Sequence, residues 1–152
     1  ALSRTYIYKI SRTKNAFNYL NAHTHTLPLD IDLMNQAAKI LFEYTDFQCF
    51  SKVKTDVKTY NCTIMNAQWT LDQNCLNLTI KADRFLRNMV RAIVGTMIEV
   101  GAKKRTLQEF HAIITSKNRS NAGTSAPAHG LYLINIEYPK SIYVHETSIT
   151  NL

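Results

Sequence analysis

Polar and apolar positions alternate at the start of the chain. Arg4, Tyr6, Tyr8 and Ile10 fall on one face and Thr5, Ile7 and Lys9 on the other, which predicts a strand over Arg4–Ile10. Residues 11–29 are polar, contain Pro28 and read as a loop. Asp30 or Asp32 can cap a helix over roughly 32–44, with Leu33, Ala37, Ile40, Leu41 and Tyr44 as its buried stripe. The aromatic stretch Asp46–Val53 shows no clear period. Thr59–Leu71 and Leu76–Ala82 read as two strands joined by a tight turn at Asp72-Gln73-Asn74. Arg84–Val100 carries the strongest helical pattern, stopped by Gly101. Thr106 and Glu109 form a capping box that opens a further helix to about Ser116. Residues 117–128 are rich in Asn, Ser, Gly and Ala and predict a loop. Gly130–Tyr138 alternates again and ends at Pro139, as a final strand would. The last dozen residues read as a tail or a partner-binding extension. This order of elements, with at least one hairpin, predicts an α+β fold, with helices packed on one face of a mainly antiparallel sheet.

The length of 152 residues, 45% of them hydrophobic, suits one domain with a real core. No apolar run approaches the ~20 residues that span a bilayer. The first ten residues alternate and carry charge, unlike a signal peptide. With 18 Lys and Arg against 11 Asp and Glu, the net charge of +7 favours a polyanionic partner, nucleic acid above all. Cys49, Cys62 and Cys75 form no CxxC pair, so they read as reduced thiols of a cytosolic protein rather than as a zinc site or disulfide framework. His23 and His25 form an HxH that reads as a loop with exposed imidazoles, because no acidic or thiol ligand is paired with it.

On a helical wheel at about 100° per residue, Arg84, Arg87, Asn88 and Arg91 share one arc. Gly95 lies one turn beyond Arg91 on the same stripe, while Phe85, Leu86, Met89, Val90, Ile93 and Met97 take the other side. A solvated arginine face would explain the arc alone. Two features argue for more. Arginine presents a rigid fork of donors suited to phosphate or carboxylate. A glycine inside a helix costs about 1 kcal/mol relative to alanine, so one in line with the arginines implies a close approach to the backbone. A ligand, another helix or a further part of the protein would each account for it. Tyr6 and Tyr8 on the first strand could stack on an unstacked base.

Four segments in order carry a resemblance. They are Ser3–Tyr8 (SRTYIY), Asp46–Val53 (DFQCFSKV), Ala82–Gly95 (ADRFLRNMVRAIVG) and Ala122–Leu133 (AGTSAPAHGLYL), the last followed by Tyr138-Pro139. They resemble the tyrosine strand, the DF-x-x-F-x-K/R segment, the FL-x-x-MVR-x-x-VG helix and the AG-x-T-APA-x-GL-x-L segment of the TruA family of tRNA pseudouridine synthases. The resemblance implies isomerisation of uridine to pseudouridine in the anticodon stem-loop of tRNA, without cofactor or metal, by a cytoplasmic homodimer. It implies that 1–139 form the second half of the catalytic region and 140–152 a tail. It also implies roles for single residues. Tyr6 would stack on the target base and Leu131 would lie against it. Arg91 would pair with and orient the catalytic aspartate. Arg84, Arg87, Lys52 and Lys54 would grip RNA phosphates. The family's aspartate lies in a GRTDAGVH-like motif, and none of Asp30, Asp32, Asp46, Asp56, Asp72 or Asp83 has that context. The expectation is therefore a fragment that lacks the aspartate segment. A non-catalytic RNA-binding domain would instead carry a K/R-G-F-G-F-V-like run, which is absent here. An oligomerisation domain would be indifferent to tRNA.

Overall fold

The computed structural model describes residues 1–14 and 22–140. A five-stranded sheet is built from β1 (Ser3–Ser11), β2 (His23–Thr24), β3 (Ile64–Asp72), β4 (Cys75–Ala82) and β5 (Leu131–Glu137). β4 lies between β1 and β3, and the other side of β1 is shared by β5, along Ser3–Tyr8, and by β2, at Ile10 and Ser11. Only the β1–β2 pair is parallel. Alternation buries Tyr8 and Ile10 of β1, Leu76, Leu78 and Ile80 of β4, and Trp69 of β3 against the helices. The fold is α+β, as the pattern predicts.

Three helices cover that face: α1 (Ile31–Ile40), α2 (Met89–Gly101) and α3 (Leu107–Ser116). Asp30 caps α1 by accepting from the Leu33 amide, and Thr106 with Glu109 closes the capping box of α3. α1 is shorter than its pattern predicts. It tightens into a 3₁₀ turn over Leu41–Glu43, and Tyr44 is extended and half-buried. Asn35 of α1 donates to the Trp69 carbonyl and accepts from the Trp69 amide, so it satisfies part of the open backbone of edge strand β3.

Three further elements differ from the sequence reading. The arginine-rich helix begins at Met89, not Arg84, because Asn88 adopts a left-handed backbone (φ 69°) that helical propagation cannot pass through. Arg84 and Arg87 therefore lie in the approach to α2 and share no helical arc with Arg91. The first hairpin strand starts at Ile64, since residues 59–63 bend to meet Asp46 through the Asp46–Asn61 bridge. The HxH opens in a short strand, β2, which holds His23, with His25 just beyond it, and the two imidazoles are half-buried rather than exposed. Asp46–Val53 acquires order through burial: Phe47, Cys49 and Phe50 are fully buried around a 3₁₀ turn. The expected tail beyond residue 140 lies outside the described residues.

Candidate functional site

The site is organised by the segment 122–127, whose backbone is zipped along α2. The Gly123 amide donates to Thr96 Oγ1 (2.9 Å), the Ala126 amide donates to the Arg91 carbonyl (2.9 Å), and Arg91 Nε donates to the Ala126 carbonyl (2.8 Å). A Cβ on Gly95 would stand 1.8 Å from the Thr124 carbonyl oxygen. The close approach implied by this glycine is therefore made by the chain itself. Gly95 is buried, not part of an outward polar stripe.

Arg91 is half-buried, and among the described residues no carboxylate forms an ion pair with it. Its guanidinium is anchored through Nε and leaves its terminal nitrogens for another acceptor. Tyr8 lies close by. Burial raises its hydroxyl far above the usual phenol range, an effect that the Arg91 charge opposes. That hydroxyl donates to the Pro127 carbonyl (2.6 Å), and a Cβ on Gly130 would reach within 2.7 Å of the ring. Tyr8 is thus a buried strut under the 127–130 turn and has no open ring face.

Tyr6, two residues earlier on the same face, is half-buried instead. Its ring meets Phe85 edge to face, with centroids 5.1 Å apart. The two tyrosines are equivalent by alternation but not by role: only Tyr6 keeps ring surface that a base could stack on. Leu131 opens β5 opposite Tyr8 and is half-buried, whereas Leu133, opposite Tyr6, is 47% exposed. Sequence reasoning missed Phe85 and Leu133 as neighbours of Tyr6.

The expected phosphate-binding residues separate. Arg84 is tied down through one terminal nitrogen, which donates to the Thr59 and Asn61 carbonyls and to Thr59 Oγ1. Arg87 is exposed, and its carbonyl accepts from the Lys52 amide (3.0 Å). Lys52 and Lys54 line a cavity of about 320 Å³ together with Lys117 and Arg119, neither of which the sequence reading singled out. Neither Tyr6 nor Arg91 lines it. The signal for Arg119 was present in the run Asn118-Arg-Ser-Asn-Ala-Gly123, just before the 122–127 segment.

Burial pushes the Cys49 and Cys62 thiols up to about 12 and about 11, so neither is a nucleophile near neutrality. His23 lies between His25 (ring centroids 6.3 Å apart) and His129 (6.5 Å). Among the described residues no group of three His, Cys, Asp or Glu could hold a metal ion, and no described helix is long and apolar enough to cross a membrane.

Comparison with known proteins adds an independent line. The sequence model of a family described as tRNA pseudouridine synthase matches residues 37–139. The chain is 48% identical to tRNA pseudouridine synthase A of Parabacteroides distasonis over 94% of its length. It is 52% identical to that of Bacteroides fragilis over 94% and 35% identical to that of Caldicellulosiruptor bescii over 91%. In each case it spans 57% of the relative's own length.

Proposed function

This chain belongs to the tRNA pseudouridine synthase family, and on that premise we propose that it supplies one wall of a uridine-isomerising site acting on the anticodon stem-loop of tRNA. The observation that carries the reading is Arg91. A half-buried guanidinium, aimed by a fixed backbone carbonyl and without an anion among the described residues, is a prepared receptor for a carboxylate. A nearby cation keeps such a carboxylate ionised. The resemblance assigns that carboxylate to an aspartate in a motif that this sequence does not contain, so the activity is proposed for a protein that joins the two.

The chemistry is internally balanced. The target uridine leaves its stack, at a cost of a few kcal/mol, and rests on the exposed part of the Tyr6 ring, with Leu131 at the end of β5 beside it. The carboxylate attacks the sugar or the base, and the N1–C1′ bond breaks. The uracil turns, a C5–C1′ bond forms, and the bond to the carboxylate breaks, which returns the carboxylate free and ionised. The C5 proton leaves, Tyr6 being the nearest candidate to assist, and N1 ends protonated. No atom or electron is gained or lost, so the isomerisation needs no redox partner. Lys52, Lys54 and Arg87 position the RNA through its backbone, with Arg84 a weaker contributor because its donors are partly used. The complete protein acts as a homodimer in the cytoplasm, in keeping with three cysteines that form no disulfide among the described residues. Residues 1–139 are the second half of its catalytic region and 140–152 a tail.

Tritium release from anticodon stem-loop RNA labelled at uridine C5 tests this reading. The chain alone should bind tRNA weakly and release nothing. A protein with both halves should release tritium. Release by the isolated chain would place the nucleophile within it, and release by neither would leave a binding domain.

A further inference from the structure

The cavity between residues 48–54 and 117–120 stands apart from Tyr6 and Arg91. Two segments distant in sequence bring Lys52, Lys54, Lys117 and Arg119 to its walls, and Tyr60 is its one aromatic side chain. One acid comes near, Asp46, whose Oδ2 lies 3.7 Å from Lys117 Nζ. At that distance, and with a Lys117 side chain 59% exposed, the pair is weak and easily exchanged for a better anion. Lys52 and Lys54 form no side-chain hydrogen bond or ion pair among the described residues. Lys54 (φ 63°) and Lys117 (φ 54°) both occupy left-handed backbone, where glycine would be less strained.

Arg119 differs from the lysines because it is fixed in place. One terminal nitrogen donates to the Gly123 carbonyl and the other to Ser125 Oγ, each at 2.9 Å. Such a guanidinium loses little freedom when its remaining donors take an oxyanion. Ser125 Oγ also accepts from Asn88 Nδ2 (2.6 Å), and Asn88 is the residue from which α2 starts. A bonded path thus runs from the cavity to the segment that holds Arg91.

We propose that this cavity is a phosphate site for the RNA backbone, in which Lys52, Lys54, Lys117 and Arg119 hold a phosphodiester one segment away from the reacting uridine. The proposal rests on the reading of RNA as substrate and adds to it a discrete site with a fixed Arg119 at its wall. The ligand class follows from the lining: four cationic side chains, the polar side chains of Gln48, Ser51, Asn118 and Ser120, and no carboxylate among the lining residues.

The test uses the full-length protein and an anticodon stem-loop RNA, with binding measured by fluorescence anisotropy from 50 to 300 mM KCl and tritium release followed on the same samples. Lys52→Gln/Lys117→Gln should raise Kd about tenfold or more at ~100 mM salt, and should flatten the slope of log Kd against log salt by about 0.7–0.9, the amount expected when one phosphate is no longer neutralised. Lys39→Gln/Lys103→Gln, which removes the same charge from outside the cavity, should change Kd less than about twofold. All four lysines are surface side chains, so both variants should fold, and thermal unfolding checks this. Equal losses in both variants would mean diffuse attraction and would overturn the site. An unchanged slope in the cavity variant would also overturn it; if tritium release persisted there, the isomerase reading would stand. A wild-type protein that neither bound RNA nor released tritium would remove both.

Discussion

The two tyrosines of β1 show how little separates a half-open side chain from a buried strut. Both alternate onto the helix-covered face, yet Tyr8 is buried with its hydroxyl on Pro127, and Tyr6 stays half-open against Phe85. Gly95 makes the same point in the opposite sense. Its placement in the pattern implies a close contact, but only the structure identifies the Thr124 carbonyl as the neighbour. Backbone, unlike a flexible side chain, cannot move aside cheaply. Gly95→Ala should therefore cost about 1–3 kcal/mol in urea unfolding, as overpacking does, despite a gain of up to about 1 kcal/mol in helix propensity. In a full-length protein turnover should fall too, because the Ala126 carbonyl is displaced from Arg91. A variant as stable as the wild type would show that segment 122–127 is not locked onto α2.

At the scale of elements, four of the five strands and two of the three helix starts were legible because strong local rules agree with packing, whereas β2, only two residues long, lies in a stretch that reads as a loop. Asp30 and the Thr106–Glu109 box cap where a cap is expected. The start of α2 was not legible. Its apolar spacing runs back through Leu86 and Phe85 without a break, and nothing local announces that Asn88 will turn left-handed. Its side chain goes to Ser125, which lies 37 residues away, rather than to the helix amides. Tertiary bonding overrides periodicity at that point. For the same reason the pattern singles out Arg91 and Tyr6 as candidates but not Arg119, whose position depends on Gly123 and Ser125.

The histidines in and just after β2 give a pH dependence. Burial pushes the His23 and His25 imidazoles down. His129 adds to the effect on His23, and Arg12, His23 and Lys104 add to that on His25. Their folded values lie below the unfolded value of about 6.5, so as pH falls the unfolded chain takes up protons first. The stability they contribute is complete above about 6.5 and is lost as pH drops through the folded values. Tm should fall between pH 7.5 and about 5.5, before most carboxylates titrate, and His25→Gln should lessen the fall. A flat or rising Tm over that interval would contradict the burial of these rings.

At the scale of the whole molecule, charge and architecture point the same way. A net charge of +7 sits on an α+β half whose sheet carries its helices on one face. Tyr6, Arg91 and the cationic cavity are arranged around the approach to α2. The chain matches its relatives over almost all of its own length but spans 57% of theirs. The central claim is that Arg91 serves a carboxylate in the chemical step rather than an RNA phosphate. Arg91→Ala in a full-length protein, with tritium release and stem-loop binding measured side by side, tests this most directly. Turnover should fall at least about 100-fold, the scale of a lost transition-state contact, while Kd changes less than about threefold. An equal loss of binding and turnover would make Arg91 a phosphate clamp and contradict the assignment.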